Sequence, residues 1–147
     1  MLISESNKEN FKGTDRLLHR PPFLLVDRIL ARCKDTIKTR KNISANEPVL
    51  IGHFPQNPIF PAAYIIEFMA QSSGLIIDKE GSNNSELGFV VKIDKAIFKK
   101  IVVPGDILTC SSKFIQEIAR FHRFECSVHD EHTNLVAKAE IYLKLEL

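Results

Sequence analysis

The sequence predicts an α+β fold, one long helix held in an antiparallel sheet. Two observations carry that prediction. The run from Pro61 to about Lys79 is apolar on nearly every face, which marks a helix surrounded by protein. Near the C-terminus Ala137, Ala139, Ile141, Leu143, Leu145 and Leu147 alternate with Lys138, Glu140, Tyr142, Lys144 and Glu146. That period of two gives a strand with one core face and one wet face. The order of elements is strands, one buried helix, then strands joined by short turns, and a sheet wrapped around a helix satisfies it.

Taken in order, residues 1–13 form a polar leader to a single domain spanning 1–147. Thr14 or Asp15 can cap a single helical turn through Leu18, and His19-Arg20-Pro21-Pro22 ends it, because consecutive prolines exclude helix. Phe23 to Ala31 has the length and apolarity of a strand. Lys34-Asp35 is a hairpin turn into a second strand, Thr36 to Ser44. Val49 to Phe60 is a proline-punctuated loop containing His53, and Pro61 suits the first turn of the helix. Asp78 to Glu80 return the helix to solvent, and Gly81 to Ser85 is a loop. Leu87 to Ile93 reads as a strand, with a kink at Asp94-Lys95-Ala96 before Ile97 and Phe98. Pro104-Gly105-Asp106 is a turn, Ile107 to Ile118 and Phe121 to His129 are long strands, and Asp130 to Asn134 is the last turn.

The totals exclude several classes. At 147 residues, 44% hydrophobic and 26% charged, this is the composition of an ordinary globular domain. A net charge of +2 is no nucleic-acid footprint. The first dozen residues lack the apolar centre of a signal peptide, and Ile59 to Ile77 contains Pro61, Glu67 and Gln71, so a core helix is the better reading than a membrane span. Cys33, Cys110 and Cys126 are odd in number and widely spaced, which fits a reducing cytoplasm and not a disulfide framework. His129 and His132 flank a turn with no acid or thiolate to complete a metal site, so no metal is expected.

The chemistry concentrates in Gly52 to Gln71. Glu67 is a carboxylate inside an apolar helix, costly unless paired, neutralised or used. Tyr64, Glu67 and Gln71 share one helix face. Apolar burial of Glu67 would raise its pKa and make it a proton donor near neutral pH. His53 lies shortly before the helix start, whose free N–H groups and dipole favour negative charge. A histidine base, a carboxylic acid and an N–H pocket suffice to take a proton beside a carbonyl and expel a β-hydroxyl.

GHFPxxPIFP followed by IIExMAQ resembles the β-hydroxyacyl-acyl carrier protein dehydratases of the FabZ type. Leu18-His19-Arg20-Pro21-Pro22-Phe23-Leu24-Leu25-Val26-Asp27 is similar to that family's N-terminal signature, and Ile93 to Asp106 to a third segment, so the resemblance runs from about Leu17 to the C-terminus. It implies the hot-dog fold, homodimers joined edge to edge and commonly assembled as trimers of dimers, and an active site shared between two chains. By carry-over His53 is the catalytic histidine and Glu67 the catalytic acid, glutamate rather than aspartate favouring the plain dehydratase over the dehydratase/isomerase branch. The implied thioester contacts are the amides of Ala62 and Ala63, and the implied substrate tunnel runs along Phe60, Tyr64 and Gln71. The implied partner is an acyl carrier protein whose phosphopantetheine carries the substrate, with no further cofactor. Lys95, Lys99, Lys100, Arg120 and Arg123 are candidate docking charges, against a plain solvated surface.

Pro61-Ala62-Ala63-Tyr64 departs from the family's usual Pro-Gly-Val-Leu, and Gln56 replaces a usual glycine. Tyr64 puts a phenol on the face of Glu67, where it would narrow or reroute the acyl tunnel. The alternative reading is a catalytically weak hot-dog subunit that binds a carrier protein or a paralogous partner. A hot-dog thioesterase comes third.

Overall fold

The computed structural model describes residues 16–77 and 87–146. The six strands are β1 (Arg28–Arg32), β2 (Thr36–Asn42), β3 (Leu87–Phe98), β4 (Ile107–Ile118), β5 (Phe121–His129) and β6 (Leu135–Glu146). A 3-10 turn spans Pro48–Ile51, and the helix α1 spans Ala62–Ile77. The strands form one sheet in the order β1-β2-β4-β5-β6-β3, every neighbouring pair antiparallel. The α+β reading therefore stands, with α1 packed on one face of the sheet.

The core is where α1 meets β2, β4, β5 and β6. Ile65, Phe68, Met69 and Leu75 from the helix meet Ile37, Leu108, Phe124, Val128 and Ile141 from the strands, all buried. Burial of Phe68 alone contributes about 1.5–3 kcal/mol. Between the apolar layers runs a hydroxyl seam. Thr39 Oγ1 meets Ser72 Oγ at 2.7 Å, and Ser72 Oγ donates to Phe68 O at 2.8 Å. Ser112 Oγ meets Ser73 Oγ at 2.7 Å, Ser73 Oγ donates to Met69 O at 2.8 Å, and Cys126 Sγ donates to Ser112 Oγ at 3.4 Å. Every proton has an acceptor, so the small side chains let helix and sheet approach without leaving a buried polar group unsatisfied. A hydrogen bond with Cys126, and then burial, push the Cys110 thiol well up, which leaves it an inert core residue.

Several boundaries differ from the sequence reading. The strand expected over Phe23 to Ala31 begins only at Arg28. Leu25 and Val26 are buried as anticipated, but the Leu25 N–H and the Phe23 carbonyl are taken by the Gln71 side chain, so this segment lies on the helix instead of in the ladder. The second strand ends at Asn42, because Ile43 turns to exchange backbone bonds with Gly105 and Asp106. The kink at Asp94-Lys95-Ala96 is an irregularity within a continuous β3, with Lys95 at φ 51° and its N–H on Asp94 Oδ1. Ile107–Ile118 and Phe121–His129 coincide with expectation, as does the turn at Gly105, where φ 99° requires glycine. Glu140 is expected on the wet face. It is buried, held by Arg123 Nη2 at 2.9 Å and Lys95 Nζ at 3.3 Å from the flanking strands. The caps at Thr14 or Asp15, the polar leader, the helix end at Asp78 to Glu80 and the loop Gly81 to Ser85 lie outside the described residues.

Asp130 organises the β5–β6 turn. Its carboxylate accepts from the backbone of His132 and Asn134, both at 2.9 Å, from Asn134 Nδ2 at 3.2 Å, and from the Lys100 ammonium. The Lys100 hydrogen bond first, and then those of Asn134 and His132, hold this carboxyl well below the usual carboxylate range. A depressed folded value stabilises the fold above the unfolded pKa and loses that contribution as pH falls through the folded one. Asp130→Asn is therefore expected to lower the urea midpoint at pH 7. The gap from wild type should shrink once pH drops below about 4, where unfolded carboxyls titrate. A gap independent of pH would refute the assignment.

Candidate active site

The loop after Pro48–Ile51 presents His53. Backbone bonds from Phe54 N to Asn57 O (3.3 Å) and from Asn57 N to Phe54 O (3.0 Å) close a tight turn, and Ile59 N returns to His53 O at 2.9 Å. Phe60 N then bonds Val102 O at 2.8 Å, which ties the loop to the chain before β4. The His53–Phe54 peptide is cis, and the His53 ring stacks on Phe54 with centroids 4.3 Å apart. His53 Nδ1 lies 2.7 Å from Ile59 O. A carbonyl can only accept, so Nδ1 carries the proton of the neutral ring and Nε2 keeps its lone pair. The loop geometry thus selects the tautomer a general base needs.

Pro61 opens α1. Its carbonyl accepts from Tyr64 N at 3.0 Å and Ile65 N at 3.2 Å, while the amides of Ala62 and Ala63 donate to no backbone carbonyl among the described residues. Both residues are exposed, at the positive end of the helix. Ala62 follows Pro61 as the first helical residue, so the methyl in place of the family's usual glycine leaves its amide available.

Glu67 sits between the first and second turns of α1. Its Oε1 accepts from Gln71 Nε2 at 3.0 Å and meets His19 Nε2 at 3.3 Å. The expected apolar setting is corrected here: the side chain is 22% exposed and one of its oxygens has two polar neighbours. Gln71, expected along the tunnel, is also corrected. It is 2% exposed, and its amide is spent on Glu67, on Phe23 O at 2.8 Å and on Leu25 N at 2.8 Å. It fastens the segment Phe23 to Leu25 to the helix. Tyr64 is half-buried, with its ring edge-on to Phe60 and to Phe23, each 5.7 Å away. Phe60 is fully buried beneath it.

His53 and Glu67, read as an acid/base pair, share no hydrogen bond or ion pair within this one chain. His53 contacts Ile59 and Phe54; Glu67 contacts Gln71 and His19. Of the proposed docking charges, Lys95 and Arg123 are engaged by Glu140, and Lys100 by Asp130. Lys99 and Arg120 are exposed. Among the described residues no group of three or more His, Cys, Asp or Glu side chains could hold a metal, and no helix is long and apolar enough to cross a membrane.

His19 is the site residue the sequence reading passed over. The sequence carries it in the His-Arg-Pro-Pro segment that stops a helical turn and in the family-like N-terminal signature, with no role attached to it. Nothing local ties it to Glu67, which is far along the chain, so only its place in the family-like N-terminal signature could have pointed to it.

Comparison with known proteins agrees with the geometry. The FabA-like domain family matches residues 17–138. The 3-hydroxyacyl-[acyl-carrier-protein] dehydratase FabZ of Vibrio atlanticus is 42% identical over 120 residues, covering 79% of this chain and 80% of that protein. Its counterpart in Streptococcus sanguinis is 44% identical over 102 residues, covering 69% and 73%. Among solved structures, the dehydratase heterocomplex ApeI:P from Xenorhabdus doucetiae superposes with a TM-score of 0.79 at 19% identity, over 91% of each chain. A hypothetical thioesterase with coenzyme A from Streptococcus pneumoniae superposes at 0.63 with 13% identity, over 80% and 84%. At such identities these two speak for the fold alone, which is the hot-dog arrangement.

Proposed function

This chain belongs to the FabA-like family, among the 3-hydroxyacyl-[acyl-carrier-protein] dehydratases of the FabZ type, and on that premise we propose that it removes water from 3-hydroxyacyl thioesters carried on an acyl carrier protein in fatty acid biosynthesis. The observation that carries this reading is the His53 tautomer: Nδ1–H is tied to Ile59 O, and Nε2 is left as a base.

In the proposed reaction His53 Nε2 takes the C2 proton of the substrate. The thioester carbonyl, gaining negative charge, lies against the amides of Ala62 and Ala63. Glu67, protonated, gives its proton to the C3 hydroxyl, which leaves as water. The C2–H and C3–O bonds break, the C2–C3 double bond forms, and the electrons balance without any redox partner or cofactor. The turn is complete when His53 releases its proton and Glu67 regains one.

Within one chain His53 and Glu67 have separate partners, which supports a site completed by a second copy. β3 supports the same reading. It is an edge strand, and Phe89, Val90, Val91, Ile93, Ile97 and Phe98 along it are each about two-fifths exposed in the single chain. An apolar edge of this length is normally covered or paired. A homodimer formed through β3 is the minimal unit, with a trimer of dimers as its further assembly.

The substrate preference is proposed to depend on Tyr64, whose ring stands between Phe23 and Phe60 on the helix face that carries Glu67. Tyr64→Leu is expected to shift the ratio of kcat/KM for long over short 3-hydroxyacyl carrier-protein substrates by about tenfold, the effect of one or two methylenes of pocket. An unchanged ratio removes Tyr64 from specificity. The primary test is a dehydration assay on carrier-bound 3-hydroxyacyl substrates of graded length. Turnover by this chain alone supports the enzyme; turnover only after co-purification with a second hot-dog chain supports a subunit role instead.

A further inference from the structure

We propose that His19 is a positioning residue for the acid: together with Gln71 it saturates one oxygen of Glu67, so that the transferable proton resides on the other. This deepens the dehydratase reading and rests on it.

The arrangement is specific. Both polar neighbours of Glu67 approach the same atom, Oε1: Gln71 Nε2 at 3.0 Å and His19 Nε2 at 3.3 Å. Among the described residues no hydrogen-bond partner approaches Oε2. In a carboxylic acid the carbonyl oxygen has two lone pairs and accepts two hydrogen bonds, whereas the hydroxyl oxygen donates one. With the Gln71 amide donating to Oε1 and the His19 imidazole in contact with the same atom, Oε1 takes carbonyl character, and the acid proton is assigned to Oε2. Oε2 is then the oxygen that gives its proton to the C3 hydroxyl. Without the second donor the proton distributes over both oxygens, and much of the acid is oriented unproductively.

The chain spends structure on holding His19 there. Arg20 Nη1 donates to Leu17 O and His19 O, each at 2.7 Å, and the Arg20 carbonyl takes the amides of Phe23 and Leu24. This folds the segment back on itself. Gln71, fixed by Phe23 O and Leu25 N, then pins the same segment to α1. The His19 ring leans on Phe23 with centroids 6.1 Å apart, and its Nδ1 is buried with no hydrogen-bond partner. A bare, buried Nδ1 fits the neutral tautomer with its proton on Nε2, the nitrogen that meets Oε1. The other titratable or charged groups at hand are Tyr64, one turn back on α1, and Arg20, which faces carbonyls. His19 is thus the titratable neighbour in contact with the acid.

Two variants separate this role from mere packing. In His19→Gln the amide nitrogen falls near the place of Nε2 and still donates; in His19→Phe the ring is kept and the donor lost. His19→Phe is expected to lower kcat by about a hundredfold, the scale of a misplaced catalytic group, with KM within about threefold. Its kcat–pH profile should also change shape, and His19→Gln should recover most of the rate. Independently of turnover, the carbon-13 titration of the Glu67 carboxyl should shift in His19→Phe and less in His19→Gln. Wild-type kcat and pH profile in His19→Phe, or a Glu67 titration indifferent to it, overturns the proposal. If the wild-type protein turns over no 3-hydroxyacyl substrate, the dehydratase reading falls, while the carboxyl titration still decides whether His19 governs Glu67.

Discussion

Two inactive variants are expected to restore one another. His53→Ala removes the base and Glu67→Gln removes the acid, and each alone should cut turnover by about 10²- to 10⁴-fold, the usual share of a positioned acid or base. Gln at position 67 can still meet Gln71, so its loss of activity reports the missing proton and not a collapsed helix. If each site takes His53 from one chain and Glu67 from the other, a mixed dimer holds one intact site and one site lacking both groups. Random 1:1 reassociation makes half the dimers mixed, so about a quarter of wild-type activity should return by simple symmetry counting. If the two residues served one another within a single chain, every site of every dimer would lack one group, and mixing would restore nothing. The measurement is specific activity after co-refolding or co-expression, against the unmixed variants. Recovery to about a quarter supports both the residue roles and their division between chains, and no recovery separates the two residues or confines the site to one chain.

How much of this was legible follows from where each signal originates. β4, β5 and β6 were readable because they are half-buried, and a half-buried strand writes its period of two directly into residues such as Phe124, Cys126 and Val128. The helix was readable because α1 is enclosed by the sheet that Ile65, Phe68 and Met69 pack against. Leu25 and Val26 misled because burial alone does not distinguish a strand from a segment laid on a helix. Gln71, 46 residues beyond Leu25, takes its N–H, and no local pattern encodes that bond. Glu140 misled in the same way: alternation placed it outward, and Arg123 and Lys95, close only once the strands pair, cover it. In the candidate site, residue type and motif are enough to nominate His53 and Glu67. The tautomer of His53 could not be read that way, since it depends on where the Ile59 carbonyl points, and neither could the hold of His19 on Glu67. Chemistry was legible where it lay in one stretch, and illegible where distant segments meet.

The second large effect is expected at the β3 edge. Among the described residues β3 pairs with β6 alone, which leaves its other edge without a strand, and Phe89 and Val91 stand 46% and 44% exposed beside it. Natural proteins blunt such an edge with lysine when it must stay single. Here Lys92 and Lys95 are present, but Lys92 is turned to Asp94 and over the Tyr142 ring, and Lys95 to Glu140, so the apolar residues are left undefended. Phe89→Lys with Val91→Lys supplies the missing charge. Across a twofold axis each new lysine meets like charge from the other copy, and like charges brought together at an interface cost several kcal/mol. A loss of about 4 kcal/mol raises the dissociation constant about a thousandfold. The nine-position register with β6 from Leu87 to Phe98 does not use those side chains as donors, so the chain itself should stay folded by circular dichroism. Ile118→Lys, at the distant β4–β5 turn, adds a charge at an exposed apolar residue away from this edge and should leave the dimer intact. Sedimentation velocity gives the association state, and the dehydration assay run across the same concentrations gives the function. If two chains complete each site, activity should fall along the dissociation curve and return as concentration restores the dimer. A folded, monomeric and fully active double variant would place the whole site within one chain; a double variant that stays dimeric would move the interface off β3.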